Sequence, residues 1–268
     1  MAGNSIKLSV QNVCKVFNVR GASGTKGEPV QVLRNVSFDV HQGEICSLIG
    51  ESGCGKTTLL RTIQGLQTLD SGSILVDGKS VVAPGRDRGF VFQQASLLPW
   101  RSARRNVEFG LELQGVPKEQ RASAVTRLLE LVGLGHAAEQ FPHQLSGGMQ
   151  QRIGLARALA IDPAILLMDE PFSALDAQTR EVLQAELLRI HAETGKTTLF
   201  VTHDLDEALY LSDRIVVLAA KPGRVKKIIE VPFGHPRASL VELRGNPLFQ
   251  QIRAEMWSLI RASTPAAA

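Results

Sequence analysis

The sequence has few cysteines and no long hydrophobic run. Its three cysteines, Cys14, Cys46 and Cys54, are odd in number and lack paired spacing. This argues against a disulfide framework or a zinc site and fits a reducing cytosol. The N-terminus has no apolar core of signal-peptide length, and no stretch approaches the ~18 uninterrupted apolar residues of a spanning helix. We therefore expect a soluble chain, or one held at a membrane by another protein.

A strong charge bias is also missing. Lys and Arg number 30 and Asp and Glu 26, which gives a formal net charge of +4 spread along the chain. A nucleic-acid footprint is normally denser, so we expect no nucleic-acid partner. Nucleotide phosphate or an anionic membrane face suits this mild excess equally well. With 268 residues, 44% of them hydrophobic, the chain is long enough for one large domain or two small ones.

Apolar patterning indicates an α/β fold. Residues 45–49 and 165–168 are short buried runs typical of strands, and residues 56–66 have the apolar spacing of a helix. Between residues 103 and 160 the pattern is mostly helical, with Gly and Pro at the joints, which predicts a helical subdomain inserted into a sheet-based core. Further strands are predicted at 6–19, 30–40, 73–76, 89–92, 197–201 and 215–219, and further helices at 179–194 and 204–211.

Two segments are predicted to stand apart from this core. Residues 20–29 are Gly-rich and polar, which predicts a flexible loop. Residues 234–268 contain Pro236 and Pro247, then a helical run around Phe249–Ile260, then an Ala-rich end that we expect to fray. We find no internal repeat.

Residues 50–58 form a glycine-rich motif that follows a predicted strand and opens a predicted helix. In this context the glycines let backbone N–H groups meet phosphate oxygens, and the helix N-terminus adds positive potential. Lys56 is placed to reach the β- and γ-phosphates, and the Thr57 hydroxyl to bind Mg²⁺. The alternative is a Gly-rich turn with a solvated lysine, which this context disfavours. The predicted nucleotide contacts are Gly50, Glu51, Ser52, Gly53, Cys54, Gly55, Lys56, Thr57 and Thr58.

Cys54 lies inside this loop. The favoured interpretation is a small residue that the loop tolerates. A helix N-terminus can lower the pKa of a thiol, so a second interpretation is a reactive cysteine whose alkylation blocks nucleotide binding.

Two carboxylates end the apolar strand at residues 165–168. Parallel strands place such residues at the carboxyl edge of the sheet, where ligands bind. We predict that Asp169 holds Mg²⁺, directly or through water, and that Glu170 polarises the attacking water as general base. The alternative is a strand that simply ends in solvent. The presence of a phosphate loop in the same chain disfavours that alternative.

A second glycine motif, Leu-Ser-Gly-Gly-Met-Gln-Gln-Arg at 145–152, precedes a long helical run. Ser146 is placed to cap this helix, and Gly147 and Gly148 leave backbone N–H groups open to an anion. One ATP does not need two phosphate-binding helix ends so far apart in sequence. Here the chain closely resembles the ATP-binding-cassette family over residues 7–232. Residues 145–150 match the signature sequence of that family. The resemblance implies the P-loop NTPase fold of that family, with an antiparallel β subdomain.

The resemblance also implies roles for two residues. Phe17 matches the aromatic position that stacks on adenine, although the family usually has Tyr there and a core Phe is the alternative. Gln93 matches the glutamine that contacts Mg²⁺ and the attacking water. The neighbouring Gln94 is an alternative candidate for this role, but the Phe-Gln order favours Gln93.

By the same resemblance, ATP is sandwiched between two copies of the subunit. The phosphate loop of one copy faces Ser146–Gly148 of the other, and Asp176 belongs to the loop that crosses the dimer interface. His203 matches the switch histidine that contacts the γ-phosphate; a lone histidine there would more often be a core residue. ATP binding is expected to close the pair and hydrolysis to open it.

Single-cassette length fits an importer subunit at the cytoplasmic face of the membrane. The implied partners are membrane permease subunits and, indirectly, a solute-binding protein. Residues 96–100 are either a local core turn or part of a groove that receives a short permease helix. Several stretches resemble the bacterial nitrate/sulfonate/taurine importer subfamily, namely 84–89, 92–100, 141–157, 171–180 and 235–237.

The chain departs from that subfamily in the length of the 20–29 segment and in Arg101-Ser102, where an apolar-Thr pair is usual. The transported solute therefore stays open among nitrate, sulfonate, taurine and similar anions. The competing classes are a soluble cassette protein and an exporter subunit. We expect a cassette domain at 1–233, with the helical insert at about 94–160, and a C-terminal helical extension at 234–268 that regulates, dimerises or only packs on the core.

Overall fold

A computed structural model of the chain describes residues 5–20 and 26–261. In chain order its strands are β1 (Ile6–Arg20), β2 (Lys26–His41), β3 (Ile45–Gly50), β4 (Ser71–Val76), β5 (Lys79–Ser80), β6 (Arg88–Val91), β7 (Ile165–Asp169), β8 (Thr197–Val201), β9 (Arg214–Ala219) and β10 (Arg224–Glu230). Its α-helices are α1 (Lys56–Gln64), α2 (Ala103–Leu113), α3 (Lys118–Leu131), α4 (Gly147–Ala160), α5 (Ala177–Thr194), α6 (Leu205–Leu211), α7 (Leu240–Arg244) and α8 (Pro247–Arg261).

The chain divides into two compact units, each described here by itself. The first comprises the described residues up to Gly85 together with those from Thr197 onward, and the second comprises Arg86–Lys196. Among the described helices, none combines the length and the hydropathy needed to span a membrane.

The first unit contains an antiparallel sheet and a parallel sheet. The antiparallel strands lie in the order β2-β1-β4-β5. In the parallel sheet β3 pairs with β8 and β9, and β10 runs antiparallel along β9. Every residue of β3 and of β8 is buried, as is typical of parallel strands covered on both faces. Pairing with β8 reaches Leu48 and pairing with β9 continues to Gly50, so β9 holds the carboxyl end of β3 where the phosphate loop begins.

The second unit contains the parallel pair β6 and β7, with Arg88 opposite Ile165, and the helices α2 to α5. Helix α4 packs against α2, α3 and β6. Its buried face includes Ile153, Leu155 and Leu159, which places an apolar surface beneath the second glycine motif. The helical pattern predicted between residues 103 and 160 is confirmed by α2, α3 and α4.

The structure departs from the sequence predictions in two respects. The loop predicted at 20–29 is too long, because β1 continues to Arg20 and β2 begins at Lys26; residues 21–25 lie outside the described part of the chain. The predictions also omit β5 and β10. The helical run predicted around 249–260 is confirmed as α8, while the fraying expected after it falls at residues 262–268, outside the described residues.

Candidate nucleotide-binding site

The phosphate loop connects β3 to α1 in the first unit. Gly55 is the N-cap residue of α1 and has a left-handed backbone with φ 96°. A Cβ on Gly55 would lie 2.7 Å from Leu33 Cδ2, so both the conformation and the space require glycine. No side chain caps α1, which leaves its N-terminal N–H groups facing the loop. This arrangement suits an anion at the helix N-terminus.

Lys56 is buried inside the loop. Its side-chain Nζ donates hydrogen bonds to Gly50 O at 2.7 Å and to Glu51 O at 3.2 Å. Ser52 and Gly53 are exposed on the outer part of the loop, and Thr57 is half-buried at the start of α1. The two carbonyl oxygens offset the cost of burying the ammonium, and a positive charge beside a helix N-terminus suits an anionic ligand.

The pKa of the Cys54 thiol is raised, whereas the interpretation as a reactive cysteine requires it to be lowered. Cys54 is fully buried, and burial raises the pKa of its thiol despite the opposing effect of the nearby Lys56 ammonium. Its backbone N–H donates to Glu51 O at 3.2 Å. The expectation of a lowered thiol pKa is therefore wrong, because desolvation outweighs the charge that the loop provides.

A turn that sequence reasoning missed lies against the phosphate loop. Gly223, between β9 and β10, donates its N–H to Val32 O at 2.8 Å and accepts from Arg34 N at 2.9 Å. A Cβ on Gly223 would lie only 2.1 Å from Cys54 O. The loop is therefore supported from behind by a glycine that approaches its backbone too closely for any other residue.

Phe17 and His203 also belong to the first unit. Phe17 is half-buried in β1 and has Lys15 Nζ at 5.4 Å from its ring centroid. His203 is exposed two residues after the end of β8. The next residue, Asp204, caps α6 by accepting from Asp206 N at 2.9 Å and Glu207 N at 3.2 Å. The adenine contact of Phe17 and the γ-phosphate contact of His203 stay predictions.

The acidic strand end lies in the second unit. Asp169 is the last residue of β7, and Glu170 follows with φ 45°, an unusual backbone conformation for a residue with a side chain. Ser173 Oγ donates to Glu170 O at 2.9 Å, and Gln93 Nε2 donates to Ser173 Oγ at 3.1 Å. These bonds join Gln93 to the strand end that carries both carboxylates. Strained backbone held by such contacts is common at catalytic sites.

The second glycine motif begins α4 as expected. Ser146 Oγ accepts from Met149 N at 3.2 Å, so the predicted N-cap is confirmed. Ser146 and Gly147 are exposed, whereas Gly148 is buried and a Cβ there would meet Thr179 Cγ2 at 2.9 Å. The motif therefore presents an exposed helix N-terminus on a closely packed base.

Asp176 caps the neighbouring helix α5. Its Oδ1 accepts from Thr179 N at 2.9 Å, and hydrogen bonds from the Thr179 side chain and backbone hold the pKa of the exposed carboxyl below its usual range. Asp176 is thus held ionised at a helix N-terminus. Its predicted place in a dimer interface stays a prediction.

Helix α4 also holds the segments on both sides of Gln93, through two residues that sequence reasoning missed. Gln151 Nε2 donates to Phe92 O at 2.9 Å. Arg157 donates to Ala95 O at 2.8 Å and to Ser96 O at 2.9 Å, and burial lowers the pKa of its guanidinium. Polar side chains within the largely apolar α4 were the only sequence signal for these contacts.

The apolar segment at 96–100 ends in a surface residue. Trp100 is 72% exposed and lines a surface depression together with Arg101, Glu139 and Phe141. The buried Asn106 shapes this segment, since its side chain accepts from Leu98 N at 2.8 Å and donates to Arg101 O at 2.9 Å. A buried amide therefore fixes the loop that presents an exposed indole.

A glycine loop between a buried parallel strand and a helix, with a buried lysine inside it, defines a phosphate-loop nucleotide-binding protein. The sequence profile of the ABC transporter family matches residues 33–173. An ABC transporter ATP-binding protein of Methanocaldococcus jannaschii is 52% identical over 232 residues, which cover 87% of this chain and 85% of the relative. The chain belongs to the ABC transporter family.

Other relatives carry more specific names. The taurine import ATP-binding protein of Roseobacter denitrificans is 43% identical over 255 residues, which cover 94% of this chain and 93% of the relative. The nitrate import ATP-binding protein of Synechococcus elongatus is 45% identical over 260 residues, which cover 96% of this chain but 38% of the relative.

A solved structure is also similar. It is an ATP-binding cassette in a dimeric post-hydrolysis state bound to ADP and Pi. It matches with a TM-score of 0.70 and 34% identity, over 85% of this chain and 100% of that chain. The predicted family and fold class are confirmed by these comparisons.

Proposed function

We propose that the chain is the ATP-binding and ATP-hydrolysing subunit of an ABC importer for a small anionic or zwitterionic solute. The observation that carries the proposal is the glycine loop with the buried Lys56, in a chain similar to taurine and nitrate import ATP-binding proteins over more than nine-tenths of its length. Within this proposal the nine loop residues from Gly50 to Thr58 bind the phosphates. Phe17 stacks on the adenine.

Mg²⁺ is the proposed cofactor. The Thr57 hydroxyl, the Asp169 carboxylate and the Gln93 side-chain oxygen are the proposed ligands, and these oxygen donors are the kind that Mg²⁺ prefers. When bound, the ion would neutralise charge on the β- and γ-phosphates.

Three side chains are assigned to hydrolysis. Glu170 accepts a proton from the attacking water as general base, Gln93 orients that water, and His203 contacts the γ-phosphate. The hydrogen bonds from Gln93 through Ser173 to Glu170 O support a shared role for the glutamine and the carboxylate.

A second copy of the subunit is the proposed partner in ATP binding. Ser146, Gly147 and Gly148 of one copy would cover the triphosphate held by the loop of the other, with Asp176 at the shared interface. Support comes from the exposed N-terminus of α4 and from the similar cassette that is dimeric with ADP and Pi.

Permease subunits are the proposed membrane partners, with the solute-binding protein acting through them and the chain lying at the cytoplasmic face. The exposed Trp100 and the depression beside it support a permease contact, because a large exposed aromatic side chain commonly anchors an interface. Arg157 of α4 and Asn106 of α2 hold this segment by hydrogen bonds to Ser96 O and from Leu98 N, which connects it to both helices.

The test is co-purification with candidate permease subunits, followed by ATPase assays in vesicles. Tight co-purification, and hydrolysis stimulated by the binding protein loaded with taurine or nitrate, are expected. Active ATPase that never associates with the permease would favour a soluble cassette protein. Association without a binding-protein response would favour an exporter subunit.

A further inference from the structure

The C-terminal helices α7 and α8 pack against α6, which follows His203 and the N-cap residue Asp204. Helix α8 contacts both α6 and β9, and buries Phe249, Ile252 and Met256. Phe249 also packs against Phe233, with ring centroids 6.0 Å apart. The buried apolar side chains make α8 an integrated part of the first unit.

Asp206 joins both C-terminal helices to the first turn of α6. Its Oδ2 accepts a hydrogen bond from Arg244 Nε at 2.9 Å, and its Oδ1 accepts one from Arg253 Nε at 2.6 Å. Each carboxylate oxygen is thus bound by a guanidinium from a different helix. The backbone N–H of the same residue donates to the Asp204 cap at 2.9 Å. Asp206 therefore connects α7 and α8 to the residue that immediately follows His203.

The other end of α6 is held by the same part of the chain. Arg237, whose side chain is buried, donates to Ser212 O, and His235 Nε2 lies 2.7 Å from Asp213 Oδ1. Asp213 in turn accepts from Ile45 N at 2.9 Å, at the start of β3. Helix α6 has only seven residues, so contacts at both of its ends restrain all of it.

We propose that Asp206 is a positioning residue, through which α7 and α8 hold the His203 segment and set the rate of ATP hydrolysis. This rests on the role of His203 in the proposed function. Partly exposed ion pairs contribute little to overall stability. By contrast, a displacement of about 1 Å at a reacting group can reduce a rate by as much as ~100-fold. Losing the Asp206 pairs should therefore affect turnover more than folding.

The variants D206N and R253Q remove these pairs from either side, and R253K keeps the positive charge. The matched control is E255Q, because the ion pair of Glu255 with Lys227 ties α8 to β10 without involving α6. Two readouts are needed: the kcat and KM for ATP, and the hydrogen exchange of backbone amides in residues 204–211 measured by mass spectrometry.

We expect D206N and R253Q to lower kcat about three- to tenfold, with KM changed less than about twofold. Amide exchange in residues 204–211 should accelerate in both variants, and R253K and E255Q should behave like the wild-type protein. Equal kcat in D206N, R253Q and E255Q, or unchanged exchange in α6, would overturn the proposal. A wild-type chain without ATPase activity would instead refute the proposed function, while the exchange readout would still decide whether Asp206 holds α6.

Discussion

Replacing Gly223 by alanine should damage the phosphate loop from behind. The new Cβ would lie 2.1 Å from Cys54 O and 3.1 Å from Val32 O. Gly223 does not have the left-handed conformation of the loop glycines Gly53 and Gly55, so alanine does not incur the cost of a left-handed backbone there. The effect of the substitution is therefore steric and falls on the backbone of the loop.

The size of the effect follows from the geometry. Cβ contacts essentially never fall below 3.0 Å, so Cys54 O or the turn must move by about 0.9 Å. Inserting one methyl group into a packed site costs about 1–3 kcal/mol. If ATP binding must restore the original loop, that cost appears as a weakening of ATP affinity by about 5- to 150-fold.

The assay is the Kd of ATP measured by titration calorimetry, with the Tm as a check on folding. Gly234→Ala is the matched control, because a Cβ at that exposed position meets no atom within 4 Å. We expect weakened binding in Gly223→Ala and unchanged binding in Gly234→Ala. Wild-type affinity in Gly223→Ala would refute the claim that this turn fixes the loop.

Two further predictions concern the loop thiol and the second glycine motif. Because burial raises the pKa of the Cys54 thiol, iodoacetamide should label it more slowly than the half-buried Cys14 in intact-protein mass spectrometry; faster labelling of Cys54 would contradict its burial. Ser146→Ala removes the acceptor for Met149 N and should lower the free energy of unfolding by about 1 kcal/mol in urea titrations, whereas unchanged stability would show that the cap contributes nothing.

Elements with strong local signals were predictable from the sequence. The apolar run that forms β3 and the glycine loop before α1 depend on neighbouring residues alone. The strand β10 was missed because it is an edge strand with mostly exposed residues, four of them charged. Lys26–Pro29 were assigned to a loop on composition, but pairing with β1 extends the strand through them. Tertiary pairing there overrides local propensity.

The features of the candidate site also divide into those that local sequence predicts and those that depend on tertiary packing. The residue types and their spacing indicated the phosphate loop, the acidic strand end and the capping role of Ser146. The burial of Cys54 and the left-handed backbone of Glu170 depend on how distant segments pack. The approach of Gly223 to the loop and the pairing of Asp206 with Arg253 join residues 169 and 47 positions apart, and no local pattern predicts them.

The proposed cycle of this chain is closure of two copies on ATP and their separation when Glu170 promotes hydrolysis. Its most direct test is Glu170→Gln with saturating Mg-ATP, measured by sedimentation velocity and by phosphate release, with the exposed Glu119→Gln as control. We expect Glu170→Gln to bind ATP, to lose at least about 100-fold in kcat and to sediment as a dimer. Near-normal hydrolysis, or a monomer at saturating ATP, would refute this cycle.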